Sequence, residues 1–146
     1  MEPSIKNENA TSAGSDQQDL FTKAQVQSLS DHMFNLLQVS ENGAIRKMNS
    51  SNPSDPTKND TRRAYFSKAK LDAFFDANPG SDGLYIYFGA YNSAILPSGK
   101  KNFENKLTAM MVTAKGTALN LTDTTSAAGT AMALGPQKTC PPDICP

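Results

Sequence analysis

Apolar residues recur along this chain at helical spacing twice and at strand spacing twice, with polar stretches between. Val26, Leu29, Met33, Leu36 and Leu37 follow one another at intervals of three, four, three and one, which places them on one stripe of an α-helix. Thr22 stands ahead of the stripe and Gln25 follows three residues later, the pattern of a capping box. Phe21 and Val26 occupy the two positions of a hydrophobic staple. The helix is expected to run to about Gln38. Its stripe is narrow, so the helix needs a packing partner; alone in water it would be marginal.

A second helix is predicted after Ser67, which reads as its N-cap. Leu71, Phe74 and Phe75, at i, i+3 and i+4, form its expected buried face, and Asn78-Pro79-Gly80 stops it. Ala64-Tyr65-Phe66 supplies a short extended lead-in. Asp82-Gly83 turns the chain into an aromatic strand, residues 83–89. Alternation there puts Leu84, Ile86 and Phe88 on one face, expected in the core beneath the helix, with Tyr85 and Tyr87 on the other. Residues 91–105 read as a loop with a turn at Pro97-Ser98-Gly99-Lys100. Residues 107–113 form the next strand, Ala114-Lys115-Gly116-Thr117 a hairpin turn, and residues 118–121 a short third strand at the sheet edge.

These elements divide the chain. Residues 1–18 read as a disordered polar arm, 19–40 as the first amphipathic helix, and 41–60 as a polar linker broken by Pro53 and Pro56. Residues 61–122 form the α+β core. Residues 123–146 are expected to be a flexible tail ending in Cys140-Pro141-Pro142-Asp143-Ile144-Cys145. The predicted fold is α+β: two helices packed on a small, mostly antiparallel sheet of three or four strands, with disordered termini. At 146 residues and 38% hydrophobic content, one modest core with polar ends is the expectation. With no Trp, that core rests on aliphatic side chains, seven Phe and four Tyr.

Charge narrows the function. Fourteen basic and fourteen acidic residues cancel. A nucleic-acid binder needs a basic excess or stripe to neutralise phosphates, and the dense basic spots, Arg62-Arg63 and Lys100-Lys101, read as solvated surface pairs. Tyr85, Tyr87, Phe88 and Tyr91 could stack bases, but the strand carries no Arg or Lys to accompany them. No run approaches the roughly 18 apolar residues of a membrane span. The N-terminal segment has no apolar stretch of the secretory kind, so the default expectation is cytoplasmic.

The chain also offers little for catalysis. His32 is the only histidine and lies beside the first apolar stripe, with no nucleophile or orienting group near it in sequence. Asp72 and Asp76 share a helix face, but Lys68 at i,i+4 to Asp72 makes a solvated charged face the simpler reading. Gly80 and Gly83 precede a strand rather than a helix N-terminus, so they lack the geometry that cradles phosphate. Cys140 and Cys145 are compatible with inert tail thiols, with a structural disulfide within or between chains, or with redox or metal chemistry. Two thiolates supply half of a tetrahedral zinc shell, and the spacing is not that of a thioredoxin-like pair.

The order of elements resembles a set of small uncharacterised bacterial proteins common in Bacteroidota. Those proteins carry a Gly-hydrophobic-Arg-hydrophobic-Tyr-aromatic-Gly strand, a Val-rich strand with a glycine turn, and a Cys-Pro-Pro-x-Cys-like tail. Gly83, Ile86, Tyr87, Phe88 and Gly89 match the strand, Gly116 the turn, and Cys140-Pro141-Pro142 with Cys145 the tail. Tyr85 stands where the pattern has Arg, and the cysteine spacing is one residue longer. The resemblance spans roughly residues 64–146 and implies the same domain organisation, with no activity attached to it.

No catalytic, cofactor-binding or metal-ligating residue is assigned, and the chain is expected not to be an enzyme. The expected role is an interaction or structural module, homo-oligomeric or bound to a protein partner through an edge strand and an aromatic sheet face. Tyr85, Tyr87, Tyr91, Leu119 and Leu121 are the expected contact residues. The alternative is a thiol-based redox or metal-binding protein using Cys140 and Cys145.

Overall fold

A computed structural model describes residues 20–36, 60–97, 101–140 and 143. The expected arm, nearly all of the linker and Cys145 lie outside these residues. The elements in chain order are β1 (Leu20–Phe21), α1 (Lys23–Leu36), β2 (Arg63–Tyr65), α2 (Lys68–Ala77) and β3 (Gly83–Ala90). A short 3-10 turn (Lys101–Phe103) precedes β4 (Leu107–Lys115), β5 (Ala118–Leu119), β6 (Ala133–Leu134) and β7 (Lys138–Cys140). Five strands form one antiparallel sheet in the order β1-β6-β4-β3, with β5 also paired to β4. β2 and β7 form a separate antiparallel pair. The fold is α+β, two helices with a mostly antiparallel sheet.

Both helix starts form as the local sequence dictates. Gln25 N–H donates to Thr22 Oγ1 at 3.3 Å, and Thr22 N–H to Gln25 Oε1 at 2.9 Å, so two backbone donors are satisfied reciprocally. Long-range contacts add to this cap. Lys23 N–H donates to Thr122 O at 2.9 Å, and Ala24 N–H to Asp123 Oδ1 at 2.7 Å, which sets a carboxylate at the positive end of the helix. At α2, Lys70 N–H donates to Ser67 Oγ at 3.2 Å.

α1 packs directly against β3. Val26 and Leu29 join Phe21, Tyr91, Phe103, Met110, Val112 and Ala133 in one buried cluster. Burying each large apolar side chain contributes about 1.5–3 kcal/mol, so this cluster anchors the first helix to the sheet. Gly89 makes the close approach feasible: a Cβ there would lie 3.0 Å from Leu29 Cβ and 2.8 Å from Met110 Cε.

Three expectations need correction. The segment from residue 123, read as a flexible tail, supplies β6 and β7, with Ala133 and Leu134 buried. Its short strands and small residues give little periodic signal; what admits them is Gly135, whose missing side chain leaves room for the Phe21 ring. With them the main sheet has five strands, and β2 and β7 form the separate pair. Phe75, expected in the buried face of α2, is 40% exposed while its neighbour Phe74 is buried. Finally, Leu84, Ile86 and Phe88 do not lie beneath a helix. They face outward, because α1 occupies the other side of β3.

Candidate protein-interaction edge

β3 is an edge strand. It pairs with β4 in a continuous antiparallel register from Gly83↔Ala114 to Ala90↔Leu107, and among the described residues nothing pairs with its other side. Two hydrogen bonds fix which backbone groups face outward. Tyr91 N–H donates to Lys106 O at 3.0 Å, which makes this pair and every second pair along the ladder the closely bonded ones. Asn120 N–H donates to Thr113 O at 2.9 Å, so Thr113 addresses β5 and its neighbours address β3. Both observations agree that Tyr85, Tyr87 and Gly89 bond to β4. The N–H and C=O groups of Leu84, Ile86 and Phe88 point away from the sheet.

The same three residues expose their side chains, at 36%, 49% and 63% respectively. Directly opposed residues share a face, so the registers Leu20↔Leu134, Leu134↔Met111 and Met111↔Ile86 trace one row across the sheet. α2 covers the far end of this row: Lys70, Ala73 and Phe74 line a cavity of about 250 Å³ together with Leu20 and Leu134. Burial then falls along the row, from Leu134 (buried) through Met111 (half-buried) to Ile86 (exposed). The β3 end is an apolar strip with Ala109 and Met111 behind it. No charged residue occurs anywhere in residues 83–99.

The expected contact residues divide. Tyr85 and Leu119 are exposed and lie on the α1 side of the sheet, opposite Val112 and Ala114 of β4. Tyr91 is a correction: it is buried, edge-on to Phe103 at 6.0 Å, with its hydroxyl accepting a hydrogen bond from Thr108 Oγ1 at 3.3 Å. Tyr87 and Leu121 are partly buried, packed against the core cluster. Leu84, Ile86 and Phe88 are the residues that alternation alone assigned to the core. A signal for them was present in Gly89. It shares parity with Tyr85 and Tyr87, and a glycine inside a strand marks the side on which another element comes close.

The residues weighed for chemistry are placed apart. His32 Nε2 is 2.7 Å from Asn105 Oδ1, tying α1 to the loop before β4. Asn105 holds a positive φ of 68° there. Asp72 and Asp76 are exposed, and Asp72 pairs with Lys68 at 2.7 Å. The carboxylate of Asp72 raises the Lys68 ammonium above its usual range. Cys140 is buried and disulfide-bonded, and the sequence contains one other cysteine, Cys145. Among the described residues, no three His, Cys, Asp or Glu side chains converge on a common metal position. None of the helices in these residues is long and apolar enough to cross a membrane.

Comparison with protein-family models, with curated proteins and with solved structures found no match.

Proposed function

We propose that this chain is a non-enzymatic interaction module that binds protein through the outer edge of β3 and the apolar strip beside it. One observation carries the reading: Leu84, Ile86 and Phe88 present outward main-chain groups and exposed apolar side chains from the same strand. An edge of this kind is a template for strand addition, in which main-chain hydrogen bonds give affinity and alternate side chains give specificity. Natural edges avoid such pairing with Lys, Pro, inward charges or bulges, and residues 83–90 carry no charge and no proline. On this reading the contact runs through Leu84, Ile86 and Phe88 rather than through Tyr87, Tyr91 and Leu121.

The thiol-based alternative is less well supported. Reactive cysteines are accessible thiolates in electropositive surroundings, whereas Cys140 is buried and already bridged. A structural disulfide also favours residence in an oxidising compartment over the cytoplasm.

The test is a photo-cross-linking amino acid at Phe88, with the same group at Phe34 on α1 as the control. Phe34 is also well exposed but lies on a different surface. Adducts of defined mass at Phe88 and none at Phe34 support the reading. Absence of any adduct at Phe88, in the purified protein and in extract of the source cells, removes it.

A further inference from the structure

Resting on that reading of the β3 edge, we propose that its partner is a second copy of the same chain. β3 of one protomer pairs antiparallel with β3 of another about a two-fold axis through Ile86. Register determines which pairing the edge can make. In an antiparallel pair, closely bonded positions exchange both N–H···O=C bonds, and only alternate residues offer these groups to a given side. On the outer side of β3 they are Leu84, Ile86 and Phe88, spaced evenly about Ile86. A two-fold axis at Ile86 opposes Ile86 to its own copy and Leu84 to Phe88 in both directions. Every outward donor and acceptor of the three residues then meets its complement. A closed dimer requires such self-complementarity, since the same patch must serve both subunits.

The side chains agree with this register. Leu84, Ile86 and Phe88 lie on one face, so the axis sets Leu beside Phe and Ile beside Ile, and apolar cross-strand pairs of this kind stabilise antiparallel sheets. Electrostatics favours a copy over a charged foreign strand. The strip has no charge in residues 83–99 with which to select an acidic or basic partner, and the whole chain has a formal net charge of zero, so two copies approach without net repulsion. The paired sheets would form one continuous sheet, with α1 of each protomer on the same side.

Light scattering behind size exclusion, on untagged full-length protein from low to high micromolar concentration, tests the proposal. The expected mass at the upper end is twice the 15.7 kDa of the chain. Ile86→Pro removes an N–H that faces away from β4, so the β3–β4 ladder is kept while the outer edge is blocked. Ile86→Lys places a charge at the axis and is the second variant should proline disturb the strand. Both are expected to be monomers with the wild-type circular dichroism spectrum. Register is read separately: under mild oxidation Ile86→Cys is expected to form a covalent dimer. Tyr85→Cys, which falls opposite position 87 and on the other face, is not.

A wild-type monomer at every concentration overturns the proposal, as does a dimer that persists in both Ile86 variants. A monomer that still cross-links a foreign chain at Phe88 overturns self-pairing alone and leaves the interaction reading standing. A monomer with no cross-link removes both.

Discussion

Asn120 Nδ2 donates to Asn78 Oδ1 over 2.7 Å, joining the segment after β5 to the end of α2 across 42 residues of chain. Asn78 is buried and its side-chain capacity is filled. Its Oδ1 also accepts from Ala131 N–H at 2.9 Å, and its Nδ2 donates to Phe74 O at 2.8 Å and Gly129 O at 3.3 Å. One amide therefore closes the C-terminal turn of α2 and holds the loop that delivers β6. Asn78→Ala leaves buried donors and acceptors unpaired, at an expected cost of about 2–4 kcal/mol. Urea denaturation should show a lower midpoint with an unchanged slope. A loss below about 0.5 kcal/mol would mean that water replaces the amide without penalty.

Gly89 is expected to be as sensitive for a different reason. The Met110 methyl can swing away from an added Cβ, but Leu29 meets it with its own Cβ at 3.0 Å and its backbone carbon at 3.1 Å. Gly89→Ala must therefore push α1 from the sheet, at about 1–3 kcal/mol. Hydrogen exchange should then show α1 amides opening faster while the β3–β4 ladder keeps its protection.

These two residues mark the boundary of what the sequence discloses. The capping box of Thr22 and Gln25 and the Ser67 cap were legible because their bonds span three residues. The α+β class was legible from the switch between helical and strand periods. The facing of β3 was not, since Leu84-Tyr85-Ile86-Tyr87-Phe88 is apolar or aromatic on both parities and alternation alone cannot choose. The choice is made by α1, through Gly89. Asn78 reads locally as a helix stop, and only contacts 42 to 53 residues away reveal its second role. β6 and β7 are two and three residues long, too short for any period, and are specified by their partners.

Cys140 closes the end of the β2–β7 ribbon. Arg62 N–H donates to Cys140 O at 2.8 Å, and Asp143 exchanges hydrogen bonds with Thr139 at 2.8 and 2.9 Å. Cys140 is disulfide-bonded, and a native bridge typically contributes about 2–4 kcal/mol to stability. Reductant should lower the melting temperature of the wild-type protein to that of Cys140→Ser, and should leave the variant unchanged. Equal melting temperatures with and without reductant would show that the bridge does not constrain the folded domain.

The orientation of β3 yields the sharpest contrast, because it compares adjacent residues of similar size. Tyr87 packs against the cluster that contains Leu29 and Met110, so Tyr87→Ala should remove core contacts and cost about 2–4 kcal/mol. Phe88 is 63% exposed on the opposite face, so Phe88→Ala should change stability by no more than about 0.5 kcal/mol. Both are to be measured by chemical denaturation at a concentration where the chain is monomeric, which separates folding from any strand pairing. The reverse result, with Phe88→Ala the more costly, would place Leu84, Ile86 and Phe88 in the core. It would remove the apolar strip on which the interaction edge depends. With the expected result, the exposed aromatic is one that the isolated fold does not need, and the edge keeps the exposed apolar surface that the proposed partner would cover.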